Sequence, residues 1–184
     1  DVTFLEEVAV VGSGKINDET FSECRSLITV VMDGISSVGT NAFYGCENLA
    51  AVSARNLIEI GEGAFYGCVK ISRVIAPSCV YGHIPSRELK EIEICGEDKI
   101  YGGQFSNYYN LSYVIVSDGI TEIGANAFYG CSSLREVLFE DNEGWAVLNC
   151  DGSVCEITSD ELSDEVHAAE LLTGAYCGMS WIKG

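Results

Sequence analysis

The stretch ISSVGTNAFYGCENLAAV at residues 35–52 decides the fold, because the chain repeats it. Closely similar stretches are LIEIGEGAFYGCVKISRV at residues 57–74 and ITEIGANAFYGCSSLREV at residues 120–137. A weaker copy, ETFSECRSLITV, precedes the first stretch, and another, KIYGGQFSNYYNLSYV, lies between the last two. Self-similarity at a fixed period indicates a protein built from stacked repeats.

A triplet of apolar residues sets the period. One apolar residue is followed three and five positions later by two more, as in Leu27, Val30 and Met32. The triplets begin at Leu5, Leu27, Leu49, Ile71, Leu89, Leu111 and Leu134, at intervals of 22 or 23 residues with one interval of 18. Alternation of the last two residues with outward ones indicates a strand with one buried face. We predict about seven coils with parallel strands, because one coil cannot bury its apolar face alone.

The remainder of each coil predicts a corner and a short turn. Gly39 and Gly124 follow an apolar pair, where we expect positive φ at a sharp corner. The spacing of apolar residues in the AFYGC segment predicts a short helical turn. Asn41 and Asn126 stand just before it, where an amide oxygen can cap free N–H groups.

The pattern I-x-x-I-G-x-x-A-F-x-x-C-x-x-L-x-x-V resembles the BspA-type leucine-rich repeat, and the match covers residues 5–139. Trp145 and the final AAELLTGAYCGMSWIKG are similar to the tryptophan-containing segment that closes many such bacterial proteins. The resemblance implies an α/β fold, a right-handed leucine-rich-repeat solenoid with parallel strands and short helical turns. It also implies an exported or surface-displayed protein with a role in adhesion.

We expect a solenoid over residues 1–139 and a capping segment over residues 140–184. The sequence SDEVHAAELLTG predicts a helix with Ser163 as its N-cap. Its apolar face, placed against the open end of the last coil, consists of Val166, Ala169 and Leu172.

Two other parts of the chain depart from the repeat. The segment PSCVYGHIPSRE at residues 77–88 lacks the AFYGC turn, and Pro77 and Pro85 predict an irregular loop there. Residues 1–10 contain no cap for Leu5, Val8 and Val10. We therefore interpret the chain as a fragment of a longer protein.

Composition excludes several classes of partner and activity. The chain has 28 acidic and 10 basic residues, a net charge of −18, which disfavours nucleic acid and anionic lipid. No apolar run approaches the ~20 residues of a membrane helix. GSGK at residues 12–15 lacks the phosphate-loop spacing, and no catalytic motif is complete. We predict no enzymatic activity, no cofactor and no metal, since Cys79 and His83 provide only two ligands.

The nine cysteines favour packing over redox chemistry. Cys24, Cys46, Cys68 and Cys131 occupy the same repeat position, which suits a small buried apolar residue. Cys150 and Cys155 flank a turn at Asp151-Gly152, and the sequence leaves open whether they form a disulfide.

Outward strand positions form two columns on one face of the predicted sheet. One column consists of Glu7, Thr29, Ala51, Arg73, Glu91, Tyr113 and Glu136; the other consists of Ala9, Val31, Ser53, Ile75, Glu93, Ile115 and Leu138. Apolar side chains rimmed by charge can mark a binding site, although β-branched residues also simply suit strands. The candidate binding face consists of Val31, Arg73, Ile75, Glu91, Glu93, Tyr113, Ile115, Glu136 and Leu138.

The predicted function is a non-catalytic protein-binding module of a secreted or cell-surface protein. We expect a monomer that binds a protein partner, such as a host matrix or cell-surface protein. A structural spacer is the first alternative. A carbohydrate-binding module is the second, since Tyr44, Tyr66 and Tyr129 recur together, although packing between coils explains them more simply.

Overall fold

Strands of successive coils pair in parallel in the computed structural model, as the repeat spacing predicts. The structure describes residues 4–84, 88–96 and 99–184. The chain divides into a first unit, Asp1–Leu89, and a second unit, Lys90–Gly184.

The first unit contains a parallel sheet with a regular register. Its strands are β1 (Glu7–Ile16), β2 (Thr29–Val38), β3 (Ala51–Ser53), β4 (Glu59–Ile60) and β5 (Arg73–Ala76). Strands β1, β2, β3 and β5 lie side by side, and β4 pairs with the end of β2. Glu7 pairs with Thr29, Thr29 with Ala51 and Ala51 with Arg73. The strands of successive coils therefore begin at the same register position.

The apolar triplets form the core of this unit. Leu27, Val30 and Met32 are completely buried, and so are their counterparts Leu49, Val52 and Ala54. In the edge strand β1, the corresponding residues Leu5, Val8 and Val10 are only half-buried. The difference follows from position, because β1 has a neighbouring strand on one side only within this unit.

The AFYGC segments form turns that join adjacent coils. The backbone N–H groups of Ala42, Tyr44 and Cys46 donate three residues back within the coil. The intervening N–H groups of Asn41, Phe43 and Gly45 donate to the next coil. In place of a regular helix, successive N–H groups of this segment thus donate alternately to their own coil and to the next coil. Asn41 and Asn126 adopt positive φ, 54° and 59°, so they serve the turn itself and are not ordinary helix caps.

The repeated phenylalanines stack beneath these turns. The rings of Phe21, Phe43 and Phe65 form a column with centroids 5.2 Å and 5.3 Å apart. The Cys46 and Cys68 thiols donate to the carbonyls of Phe21 and Phe43, each over 3.1 Å. In the second unit, Phe105 stacks on Phe128, and Cys131 donates to the Phe105 carbonyl. The prediction that these cysteines are buried packing residues is confirmed.

Because Cys131 is buried, the stability of the fold should decrease at alkaline pH. Burial raises the pKa of this thiol to about 11. Because the folded thiol keeps its proton to higher pH than the unfolded one, its contribution is present near neutral pH and is lost as pH rises towards 11. We expect the free energy of unfolding of the native chain to fall by roughly 2 kcal/mol more than that of Cys131→Ala over this window. Urea titrations in reductant at neutral pH and at pH 11 measure the difference, and equal falls would contradict it.

The corner glycines have a different role from the predicted one. Neither Gly39 nor Gly124 has positive φ. Instead, a Cβ on Gly124 would overlap the Gly102 backbone nitrogen and lie 2.8 Å from its Cα. Gly61 approaches the backbone of Thr40 in the same way. Glycine is present because successive coils touch backbone to backbone at this corner.

The segment predicted as an irregular loop begins with regular structure. Ser78–His83 forms a 3-10 helix after Pro77, whose φ of −59° suits the position before a helix. Val80 and Tyr81 are buried, and the Tyr81 hydroxyl donates to the Val74 carbonyl over 3.3 Å. The loop prediction is therefore wrong for this part, because two apolar side chains replace the missing AFYGC turn in the core. Pro85 lies outside the described residues.

The second unit contains two sheets. The strands are β6 (Glu91–Ile94), β7 (Lys99–Ile100), β8 (Tyr113–Val116), β9 (Glu122–Ile123), β10 (Glu136–Phe139), β11 (Trp145–Leu148), β12 (Val154–Glu156) and β13 (Ser180–Lys183). Strands β6, β8 and β10 pair in parallel, as predicted. The other sheet has the order β12-β11-β13-β9-β7. The last strand of the chain, β13, runs antiparallel to β9 and β11 and joins them at the middle of this sheet.

Two short helices follow β12 in the second unit. The helix α1 (Ser159–Ser163) begins with a capping box between Thr158 and Glu161. The helix α2 (Glu165–Glu170) has Asp164 as its N-cap, so the prediction of Ser163 is wrong by one residue. The Asp164 carboxylate accepts from two backbone N–H groups, which leaves Ser163 to end α1.

The helix α2 packs against β10 and caps the last coil. Ala169 and Leu172 are buried there, as predicted. Val166 is 51% exposed, so its assignment to the packed face is wrong. The buried residues of α2 are Ala168 and Ala169, and Leu171 and Leu172 of the following π-helical turn, Leu171–Ala175, are buried as well. With 3.6 residues per turn, Val166 lies roughly 160° around the helix from Ala168 and therefore projects away from the packed face. None of the described helices has the length and apolar character needed to cross a membrane.

Candidate functional site

The outward face of the sheet in the first unit is mixed in character. The register aligns Thr29, Ala51 and Arg73 in one column and Val31, Ser53 and Ile75 in the next, as predicted. Arg73 and Val31 are exposed, and Ile75 is half-buried. Ala51 and Ser53, which lie in the same two columns, are half-buried.

The outward face of the sheet in the second unit is more apolar at its centre and more acidic at its rim. Tyr113, Ile115 and Leu138 are half-buried, whereas Glu91 and Glu136 are exposed. Glu91 and Glu136 each pair directly with Tyr113 across the sheet. Glu93 is only 7% exposed, so it is the least accessible of the nine candidate residues. The structure thus brings the other five candidate residues of this unit together on one accessible face.

Tyr113 experiences the charge of this face. Its pKa is raised above the ordinary value by burial, and further by the carboxylates of Glu165, Glu136 and Glu91. A raised tyrosine pKa means that the surroundings disfavour the phenolate. The hydroxyl therefore stays protonated at physiological pH and remains able to donate a hydrogen bond.

Glu165 is a residue of this face that sequence reasoning missed. It begins α2, which packs against β10, and its charge acts on Tyr113. The repeat pattern ends before α2, so no spacing in the sequence connects Glu165 to Tyr113. Only the direction in which the cap docks places it there.

The core of the C-terminal cap is aromatic. Trp145 and Trp181 are buried, and Phe139 lies against both, at 5.3 Å and 6.0 Å between ring centroids. The Trp145 indole donates to the Asp141 carbonyl, and the Asp141 side chain pairs with Lys183. Lys183 holds the pKa of the Asp141 carboxyl below its ordinary value. The cluster joins the last coil to the final strand.

The tyrosines of the repeat turns lie on another surface. Tyr44 and Tyr66 stack face to face with centroids 5.6 Å apart, which agrees with packing between coils. Tyr66 nevertheless remains 68% exposed. Tyr129 occupies the same repeat position in the second unit and is also exposed.

Other candidate sites do not assemble. No group of three or more histidine, cysteine or acidic side chains among the described residues could hold a metal ion. Cys150 and Cys155 are exposed free thiols. The hairpin register places Cys155 opposite Val147, so Cys155 does not face Cys150 across the hairpin. Gly12 and Gly14 of the GSGK segment belong to the edge strand β1.

Comparisons with known proteins agree with this geometry. The sequence matches the BspA type leucine rich repeat region, in six copies, over residues 14–135 and 98–147. Among curated proteins, none matches it significantly.

Several solved structures show partial similarity to this chain. A leucine rich cell surface protein from Faecalibacterium prausnitzii is 17% identical, with a TM-score of 0.44 over 81% of this chain and 48% of that one. A leucine-rich repeat protein from Eubacterium ventriosum is 18% identical, with a TM-score of 0.44 over 83% and 44%. A leucine rich repeat protein of T. pallidum is 23% identical, with a TM-score of 0.40 over 70% and 78%.

The chain spans about half the length of the first two of these structures. The family match itself covers well over half of this chain and coincides with the coils. It includes the AFYGC turns, the corner glycines and the paired strands described above. The chain therefore belongs to the BspA-type leucine-rich repeat family.

Proposed function

We propose that this chain is a non-catalytic protein-binding module of an exported bacterial surface protein, and that it acts in adhesion. The observation that supports the proposal best is the accessible sheet face around Tyr113, Ile115 and Leu138. Its apolar centre and charged rim are the features of a protein interface. A rigid sheet of paired strands presents these side chains without loop movement, which lowers the entropic cost of binding.

The test is a binding screen of the immobilised chain against host matrix proteins, host cell-surface proteins and glycans. We expect a saturable protein signal that falls by at least about tenfold in Tyr113→Ser/Ile115→Ser, because the variant removes the centre of the face. Both side chains are half-buried, so we expect a shift in Tm of only a few degrees.

The matched control is Tyr109→Ser/Val154→Ser, which removes the same kinds of side chain from exposed positions off this face. It should retain binding. Equal loss in both variants, or a protein signal that survives Tyr113→Ser/Ile115→Ser, would place the binding surface elsewhere. A folded chain that binds none of the proteins would favour the spacer function.

Carbohydrate binding is a second candidate, because Tyr66 exposes most of its ring at the end of the Tyr44–Tyr66 stack. Sugars pack against open aromatic faces, which combine apolar area with a polar hydroxyl. A glycan signal that is lost in Tyr66→Ser and kept in Tyr113→Ser/Ile115→Ser would support this function over protein binding.

A further inference from the structure

The charge around Tyr113 indicates what kind of protein partner suits the outward sheet face of the second unit. Tyr113 pairs with Glu91 of β6 on one side and with Glu136 of β10 on the other. Directly paired positions project to the same face, and neighbouring strands lie ~4.8 Å apart. Two carboxylates therefore flank one tyrosine at the middle of the face.

The cap adds a third carboxylate from a separate element. Glu165 begins α2, which packs against β10. Its charge acts on Tyr113 together with those of Glu91 and Glu136. Carboxylates from two strands and one helix thus act on Tyr113, a combination that the repeat pattern alone would not produce.

Three of the four basic side chains of the same unit have partners of their own. Residues 90–184 contain 17 acidic and four basic side chains. Lys99 pairs with Glu122 at 3.1 Å on the other sheet, and Lys183 pairs with Asp141. Arg135 donates to the backbone carbonyls of its own turn. These three cations are therefore held by other groups, and the fourth, Lys90, directly precedes Glu91 in the chain.

Apolar area lies beside the charged part of the face. Ile115 is two positions along the strand from Tyr113, and it pairs with Leu138 of β10. Both side chains are half-buried. A partner that covers the whole face must therefore offer a positive charge next to an apolar side chain.

We propose that this face binds a basic and apolar segment of a protein, with a lysine or arginine side chain against Tyr113 and an apolar side chain on Ile115 and Leu138. The proposal rests on the proposed protein-binding function and names the chemistry of its partner. Carboxylates attract the cation through charge-assisted hydrogen bonds, and the tyrosine ring attracts it through its negative face. Complementary charge of this kind also favours the right partner over acidic ones.

The test uses the full chain and two short fluorescein-labelled peptides, one alternating lysine with leucine and one alternating glutamate with leucine. The variant Glu91→Gln/Glu136→Gln/Glu165→Gln removes the rim. The control Asp118→Asn/Glu143→Gln/Glu156→Gln removes the same charge from exposed positions elsewhere in the unit. Fluorescence anisotropy gives the dissociation constants of both peptides for each protein.

We expect the native chain to bind the lysine peptide at least about tenfold more tightly than the glutamate peptide. The rim variant should lose at least about tenfold in affinity for the lysine peptide, and the control variant less than about threefold. Equal loss in the two variants would overturn the proposal, because it would reveal only general attraction to a chain of charge −18.

The outcomes separate this proposal from the proposed function. A protein from the binding screen that is lost in Tyr113→Ser/Ile115→Ser and retained in the rim variant would overturn the basic partner while protein binding at this face stands. Binding of the lysine peptide that depends on the rim, with no protein bound in the screen, would support the charge recognition and count against the panel proteins as partners.

Discussion

Replacing Phe43 by alanine is expected to lower the free energy of unfolding by about 3–5 kcal/mol. Phe43 is 0% exposed and lies between Phe21 and Phe65, with ring planes within 11° of parallel. Truncation removes contacts on both faces of the ring and leaves a cavity, which the flanking coils cannot fill because their backbone bonds fix their spacing. Urea-induced unfolding followed by circular dichroism measures the loss.

The neighbouring Tyr44→Ala is the matched control for this prediction. Tyr44 belongs to the same turn and also stacks on the next coil, but it is exposed at the surface. Its loss should cost about 1 kcal/mol, since only the aromatic pair and part of the buried area are removed. Equal destabilisation by the two substitutions would mean that the phenylalanine column is not the principal contact between coils.

A single methyl group at Gly124 is expected to destabilise the second unit by at least about 2 kcal/mol, although the substitution is conservative. The new Cβ would overlap backbone atoms of Gly102, and backbone cannot rotate away as a side chain can. The corner also holds the bond from the Gly124 N–H to the Ile100 carbonyl, 2.8 Å long. Separating the two coils to admit the methyl group would stretch this bond.

Gly119→Ala provides the control, five residues earlier in the same coil. A Cβ at Gly119 meets no heavy atom within 4 Å, and its φ is not in the left-handed region. The substitution should be neutral or slightly stabilising, because alanine restricts the unfolded chain. Thermal unfolding of the two variants distinguishes the effects, and a Gly124→Ala protein as stable as Gly119→Ala would show that the coils are not in contact at this corner.

Register was predictable from the sequence because each coil repeats the same apolar spacing. Leu27, Val30 and Met32 have counterparts at fixed distance, so their burial determines which residues pair. The outward columns follow from the same spacing, since side chains alternate along a strand. The alignment of Tyr113 with Glu91 and Glu136 was therefore predictable before any coordinates.

Features outside the repeat were not predictable in this way. The pairing of β13 with β9 joins Trp181 to Ile123, residues with no common pattern in the sequence. Likewise, the burial of Tyr81 in a 3-10 helix depends on the space left by a missing turn. The role of Gly39 and Gly124 was misread because glycine serves both for positive φ and for close approach, and sequence alone does not distinguish the two.

One interval in the second unit shows how such a chain can change during evolution. Tyr113 and Glu136 are 23 residues apart, yet they pair without any shift in register. The additional residue is taken up at the corner between β8 and β9, around Gly119. An insertion inside a strand would instead turn every outward side chain inward. Related chains can therefore gain or lose whole coils, or lengthen a corner, without changing which side chains of each strand face outward.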